Sequence, residues 1–373
     1  MSAYLDWNAS APLAACAREA WLEAAAVIGN PAAVHRCGQQ ARHHWDALMQ
    51  RASQALHTRR HELVATSGGT EANATAIYAA LAGGGHAVAS CIEHSSVLRN
   101  LERWAAVRSL VAVDDCGRID LDALGQALQA DTRLVCLQFA NNELGVLQDV
   151  PEVVAMVRAR APNARILLDC CQGGGKHAIN LTALGVDFAS FAGHKFGAPR
   201  GCGLLYVRTG VPFPALLAGG RQQDDRRSGS QDLAGLAALV AALEDGVAQA
   251  ETRDAAQAQA LEAVFEQIAV SLPQAQWIAR DAKRLGCTLS LAHPGIDNEV
   301  LVARLDLAGF AVSRGAACMA RSGEPSHVIA ALGLDPSVAG GVIRISIGPS
   351  TTPDELAAFA AAYVREVQAM VSP

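Results

Sequence analysis

The sequence contains no uninterrupted apolar run of about 18 residues, so no membrane-spanning helix is expected. Its opening residues, Met1 to Asp6, lack a basic segment followed by an apolar stretch, so no secretory signal is expected. There is no basic excess: 30 Lys and Arg stand against 36 Asp and Glu, a net charge of −6. A mildly acidic chain has no electrostatic reason to bind nucleic acid or an anionic membrane. Charged residues make up only 18% against 51% hydrophobic, which excludes a disordered chain. Ten cysteines are scattered along the chain without a Cys-x-x-Cys pair, so neither a disulfide framework nor a thiolate metal site is expected. A reducing cytoplasm fits these features. His35, His43, His44, His57 and His61 read as positions along one helix and lack metal-ligand spacing, so no metal is expected. No repeat of solenoid length is present.

What is present is a chain of 373 residues, long enough for two domains. Apolar runs of strand length fall at 61–65, 86–90, 110–113, 133–139, 166–169, 188–190 and 203–207. Helical periodicity lies between them, at 70–82, 95–104, 121–128 and 150–160. This alternation predicts an α/β fold with a largely parallel sheet flanked by helices, binding its ligand beyond the carboxyl ends of the strands. From 230 to about 268 the chain reads as one long helix or two consecutive ones. Strands at 287–291, 311–313 and 342–347 and helices at 298–307, 324–332 and 352–370 follow. A boundary near 250 divides the chain into a large domain, 12–250, and a smaller α/β domain made of 1–11 and 251–373.

Several motifs sit just after the predicted strands. Ser67-Gly68-Gly69-Thr70 opens a helix, either as a phosphate cradle or as an ordinary helix entry. Asp169 ends a strand, where an acid can pair with a protonated ring nitrogen. The glycine run up to Lys176 is not a nucleotide P-loop, because His177 stands where Ser or Thr is needed. The vicinal Cys170 and Cys171 read as packing residues. Lys195, between Gly193 and Gly197, is placed either for a Schiff base or simply in a surface turn. Cys318 lies in a small-residue loop between Arg314 and Arg321, a setting that favours a thiolate. Arg344 interrupts an apolar strand and calls for a carboxylate partner, from a substrate or from the protein.

The order of these elements carries more than any one of them. With Tyr4 to Leu13, Gly29 to His35, Glu93 to Val97, Asn141 to Gly145 and Arg227 to Ser230, the chain resembles the cysteine desulfurases of the class V aminotransferase group. The spacing from Cys318 to Glu324 is similar to the long-loop branch, which includes iron–sulfur-cluster and nitrogenase-associated desulfurases. The resemblance implies the type I fold of pyridoxal-phosphate enzymes and conversion of L-cysteine to L-alanine. Lys195 would carry pyridoxal phosphate, Asp169 would pair with its ring nitrogen, and His94 would stack on the ring and assist proton transfer. Gln172 and Asn142 would touch the phenolic oxygen or the substrate. Gly69, Thr70 and His194 would hold the phosphate, and Ser230 would reach that of the partner in a homodimer with shared sites. Arg344 would grip the substrate carboxylate. Cys318 would take the sulfur as a persulfide for a protein acceptor.

This chain departs from the pattern at Trp7, Ala192, Ser230 and Ala316. Ala192 removes a hydroxyl expected at the phosphate, whereas Ser230 keeps one. The chain stops at Pro373, short of the tail that docks scaffold proteins in the family, which argues against a typical cluster scaffold as partner. The same cofactor residues would also serve a cysteine or cystine C–S lyase or a selenocysteine lyase. A third reading is a degenerate, non-catalytic relative, against which Lys195, Asp169, His94 and Arg344 argue.

Overall fold

The computed structural model describes residues 3–315 and 326–371. Twelve strands occur among them: β1 Ala3–Tyr4, β2 Leu63–Thr66, β3 His86–Ser90, β4 Val107–Val111, β5 Thr132–Gln138, β6 Arg165–Asp169, β7 Phe188–Ala192, β8 Gly203–Val207, β9 Gln276–Trp277, β10 Thr288–Ala292, β11 Phe310–Ala311 and β12 Ile343–Ser346. Seven form the central sheet, in the order β2-β8-β7-β6-β5-β3-β4. Strands β7, β6, β5, β3 and β4 are mutually parallel, and β8 runs antiparallel to both its neighbours.

The alternation of side chains along a strand explains why this sheet is a middle layer. On β5, Leu134 and Cys136 face a cluster built with Ala72, Ile77 and Leu101 of two helices. Val135 and Leu137 face the opposite cluster, with Ile166, Leu168 and Leu239. Burying each such Leu or Ile contributes about 1.5–3 kcal/mol. A strand wanted on both faces must be apolar throughout, and β3, β6, β7 and β8 are accordingly almost entirely buried.

The remaining strands form a three-stranded antiparallel sheet, β12-β10-β9, and a parallel pair, β1-β11. The region expected as one or two helices is two, Leu233–Ala248 and Ala250–Ser271, bent by 70°. No single helix among the described residues is long and apolar enough to cross a membrane.

Several sequence expectations need correction. The five histidines do not share a helix. His35 caps the helix Arg36–Ala55 through its ring nitrogen, and His43 and His44 lie within it. His57 follows its end in a left-handed conformation, and His61 sits in the short 3-10 turn Arg60–Glu62. The strand expected at 61–65 therefore begins only at Leu63. The strand expected at 110–113 starts earlier, at Val107, because this sheet edge is largely exposed and its sequence is poor in buried apolar residues. The two-residue strands β1 and β9 are too short to leave a periodic signal.

Candidate functional site

The carboxyl ends of β2, β3, β5, β6 and β7 feed loops that converge on a cavity of about 250 Å3. Gly69, Thr70, His94, Asn142, Asp169, Gln172, His194, Lys195 and Arg344 all line it. Ser230 does not. It lies in a separate hollow beside Thr66, Ser67 and Arg227 of the same chain. Cys318 lies outside the described residues.

Gly69 starts the helix Gly69–Leu81 directly after β2. A Cβ at this position would stand 2.4 Å from the Cys171 sulfur and 3.3 Å from the Ala192 methyl. Only glycine lets the helix start pack this closely, and its unsatisfied N–H groups give that end a partial positive charge. Thr70 adds a hydroxyl at the same end. The departure at Ala192 is real in space, since its methyl lines the cavity where a hydroxyl was expected.

His94 caps the helix Ser95–Trp104. Its Nδ1 accepts from the Ser96 backbone N–H at 3.1 Å. With Nδ1 used as acceptor, a neutral His94 carries its proton on Nε2.

Asp169 ends β6 with both carboxylate oxygens held. Oδ2 accepts from Asn73 Nδ2 at 2.8 Å, and Oδ1 accepts from the Cys171 N–H at 2.9 Å. Behind it lies Glu93, wholly buried, whose Oε1 accepts from the Gln138 N–H at 2.9 Å and whose Oε2 has no partner. Burial, and then the nearby Asp169 charge, push the Glu93 carboxyl up to about 8. At neutral pH Glu93 is mainly a neutral acid.

Lys195 sits in a short 3-10 turn, Gly193–Lys195, after β7. Its Nζ donates to the backbone carbonyls of Asn8 and Ala9 at 2.7 and 3.1 Å. Burial and the neighbouring Lys176 charge bring the amine down to about 8. A surface lysine would show neither the burial nor the shift, so the surface-turn reading fails. His194 is held down at about 4, first by burial and then by Lys195, so its ring is neutral at physiological pH. The vicinal thiols are not equivalent. Cys170 is buried core, whereas Cys171 lines the cavity, where burial and Asp169 hold its thiol protonated.

Arg344, on β12, is only 2% exposed. Its guanidinium pairs with Asp6 and donates to the Asn142 carbonyl at 2.9 Å. The protein thus supplies a carboxylate partner of its own, while the buried Nε of Arg344 remains without one.

Sequence reasoning passed over Asn73, Cys171 and Lys176. Asn73 lies three residues beyond Thr70, and nothing local shows that it would reach Asp169. A second cavity of about 500 Å3 adjoins the first and shares Lys195, but its walls are mainly apolar, with Pro12, Phe196, Ile347 and Pro349. The polar groups converge in the smaller one.

Together these residues fit a group with an aldehyde, a basic ring nitrogen and a phosphate. They present an amine of lowered basicity, a fixed carboxylate and a glycine-opened helix start. Pyridoxal phosphate has all three features.

Comparison with known proteins agrees. The family profile described as Aminotransferase class-V matches residues 3–359. "Cysteine desulfurase 2" of Trichormus variabilis is 35% identical over 364 residues, covering 95% of this chain and 90% of the relative. A solved "NifS-like protein" superposes with a TM-score of 0.92 at 28% identity, covering 100% of both chains. A structure described as "SspA in complex with cysteine" has a TM-score of 0.82 at 27% identity, covering 94% of this chain and 100% of that one. A cavity-lining lysine on a sheet-end turn, a strand-end aspartate and whole-length likeness thus lead to one family, and this chain belongs to the cysteine desulfurases of the class V aminotransferases, which are pyridoxal-phosphate enzymes.

Proposed function

We propose that the protein converts L-cysteine to L-alanine and passes the sulfur to Cys318 as a persulfide. The observation that carries the reading is the convergence of Lys195, of lowered basicity, with the doubly held Asp169 and with His94 in one cavity. The structural relative with bound cysteine supports the substrate.

Bound pyridoxal phosphate supplies an aldehyde that condenses with amines and a protonated ring that spreads negative charge away from the substrate α-carbon. The protein's residues do the rest. Lys195 holds the cofactor, and its amine moves protons once released, aided by a basicity tuned toward neutral pH. Asp169 keeps the ring nitrogen protonated. His94 covers the ring, with Nε2–H free to move a proton. Gly69, Thr70 and neutral His194 hold the phosphate. Gln172 and Asn142 orient the phenolic oxygen or the substrate. Arg344 faces the substrate carboxylate with the N–H groups that Asp6 and Asn142 leave open.

Sulfur transfer then balances simply. The Cys318 thiolate attacks the substrate sulfur, and the bond from that sulfur to Cβ breaks. Its electron pair returns to carbon, and a proton there completes alanine. The persulfide on Cys318 serves a protein acceptor, with iron–sulfur assembly as one destination. Ser230 acts on the phosphate of a partner subunit, which fits its position outside its own chain's cavity. The nine described cysteines are all free thiols, which supports a reducing, cytoplasmic setting.

The test is product analysis with L-cysteine and a thiol reductant. Alanine matching sulfide is expected, with protein-bound persulfide lost in Cys318→Ala. Pyruvate with ammonia in place of alanine would make the protein a C–S lyase and leave Cys318 without its role.

A further inference from the structure

The chain is poor in lysine. It has three, Lys176, Lys195 and Lys283, against 27 arginines of the 30 basic residues. Lys283 is exposed. The other two lie within one hydrogen-bonded network at the cofactor cavity. In a chain that uses arginine for most of its positive charge, the partly buried Lys176 sets a compact point charge against this network.

Lys176 Nζ donates to Gln172 Oε1 at 2.7 Å and to Asn8 Oδ1 at 2.9 Å. Gln172 Nε2 donates to the Asn8 carbonyl at 3.0 Å, and the same carbonyl accepts from Lys195 Nζ at 2.7 Å. No carboxylate pairs with Lys176 among the described residues. The glycine run explains how it arrives there. Gly173 and Gly174 both donate to the Cys170 carbonyl, at 3.0 and 2.8 Å, and Gly175 takes a φ of +65°. That tight turn brings residue 176 back against residue 172.

We propose that Lys176 is a positioning residue of the cofactor site, one that fixes which end of the Gln172 amide faces the cavity and, through Asn8, seats Lys195. An ammonium has only donors, so the amide oxygen must face it. The amide N–H group is thereby committed to the opposite side, where one hydrogen bonds Asn8 and the other is left for an acceptor in the cavity. Reversing the amide would set N–H against ammonium and oxygen against the Asn8 carbonyl, losing two hydrogen bonds at once. Lys176 has a second, electrostatic effect. After burial itself, its charge is the strongest influence lowering the basicity of Lys195, with Arg344 acting in the same direction and Asp169 opposing. The proposal rests on the assignment of Lys195 and Gln172 to the cofactor cavity.

The experiment compares wild type, Lys176→Met, Gln172→Ala and the double variant, each stripped of cofactor and checked for folding by thermal melting. The first readout is the rate of pyridoxal-phosphate uptake against pH, which follows the Lys195 amine. Removing a neighbouring positive charge favours the ammonium, so the inflection should rise by about half a pH unit or more in Lys176→Met. The second is cofactor affinity, expected to weaken roughly five- to twentyfold in either single variant. Because part of the effect of Lys176 acts through Gln172, the double variant should lose clearly less affinity than the product of the two single losses. An unmoved inflection, or losses that simply multiply, would overturn the proposal. If Lys176→Met does not fold, Lys176→Gln fills the same space without charge, and an unmoved inflection there also overturns it. Failure of the underlying assignment reads differently: Lys195→Ala would then take up cofactor like the wild type.

Discussion

At the scale of single residues, the site depends as much on what is small or neutral as on what is charged. Gly69 has no side chain to offer, yet a methyl there would meet the Cys171 sulfur at 2.4 Å. Overpacking of this kind costs about 1–3 kcal/mol. Gly69→Ala should therefore weaken pyridoxal-phosphate binding by roughly tenfold or more while leaving the fold intact, which a cofactor titration beside a thermal melt measures. Wild-type affinity would show that the helix start does not touch the cofactor. Lys195, Asp169 and Arg344 stand out in the sequence by their place at strands, His94 and Gln172 through the family resemblance, and all five line one cavity. Lys176 was visible only as part of a failed nucleotide motif. Its role depends on Asn8, 168 residues away, and no local pattern encodes that meeting. Arg344 was read as either a substrate ligand or an ion-pair partner, and the geometry gives it Asp6 while leaving Nε open.

At the scale of elements, the strands buried on both faces were the easiest to read. Strands β3 and β8 and the helices Ser95–Trp104 and Val150–Arg160 fall where periodicity put them. Edges and short pieces were not readable, because little of their surface is buried and apolar patterning has no cause there. The helix Ser95–Trp104 illustrates how an element serves the site. His94 caps it, and Leu101, buried about two turns further on, anchors it to the sheet. Leu101→Ala should destabilise the protein by about 2–5 kcal/mol. With the anchor gone the cap loosens, so cofactor loss should precede global unfolding. A denaturant titration that follows cofactor absorbance and secondary structure separately checks this, and coincident transitions would count against a local role.

At the scale of the whole molecule, the chain leaves apolar side chains uncovered along one segment. Trp21, Leu22, Ile28 and Val34 are exposed, the last two by 81% and 89%. These lie on and just beyond the helix Ala15–Ala25, which packs against Leu233–Ala248. Such a surface suits a second copy of the chain. Ile28→Glu with Val34→Glu should shift the protein toward monomer in sedimentation and lower cofactor affinity if Ser230 reaches across. A variant that stays dimeric would place the contact elsewhere. The change of rhythm near 250 coincides with a break between two helices, at Gln249.

Residues 3–9 have a consequence of their own. Within this short segment, Ala3 and Leu5 bond to β11 and its flank, Ser346 at the end of β12 bonds to Leu5 and Asn8, and the Asn8 and Ala9 carbonyls receive Lys195. This run is a tether strung between the strand that carries Arg344 and the turn that carries the reactive amine. A shift of β12 would pull on the acceptors of Lys195, so the strand proposed to grip the substrate and the amine proposed to transfer protons share one tether.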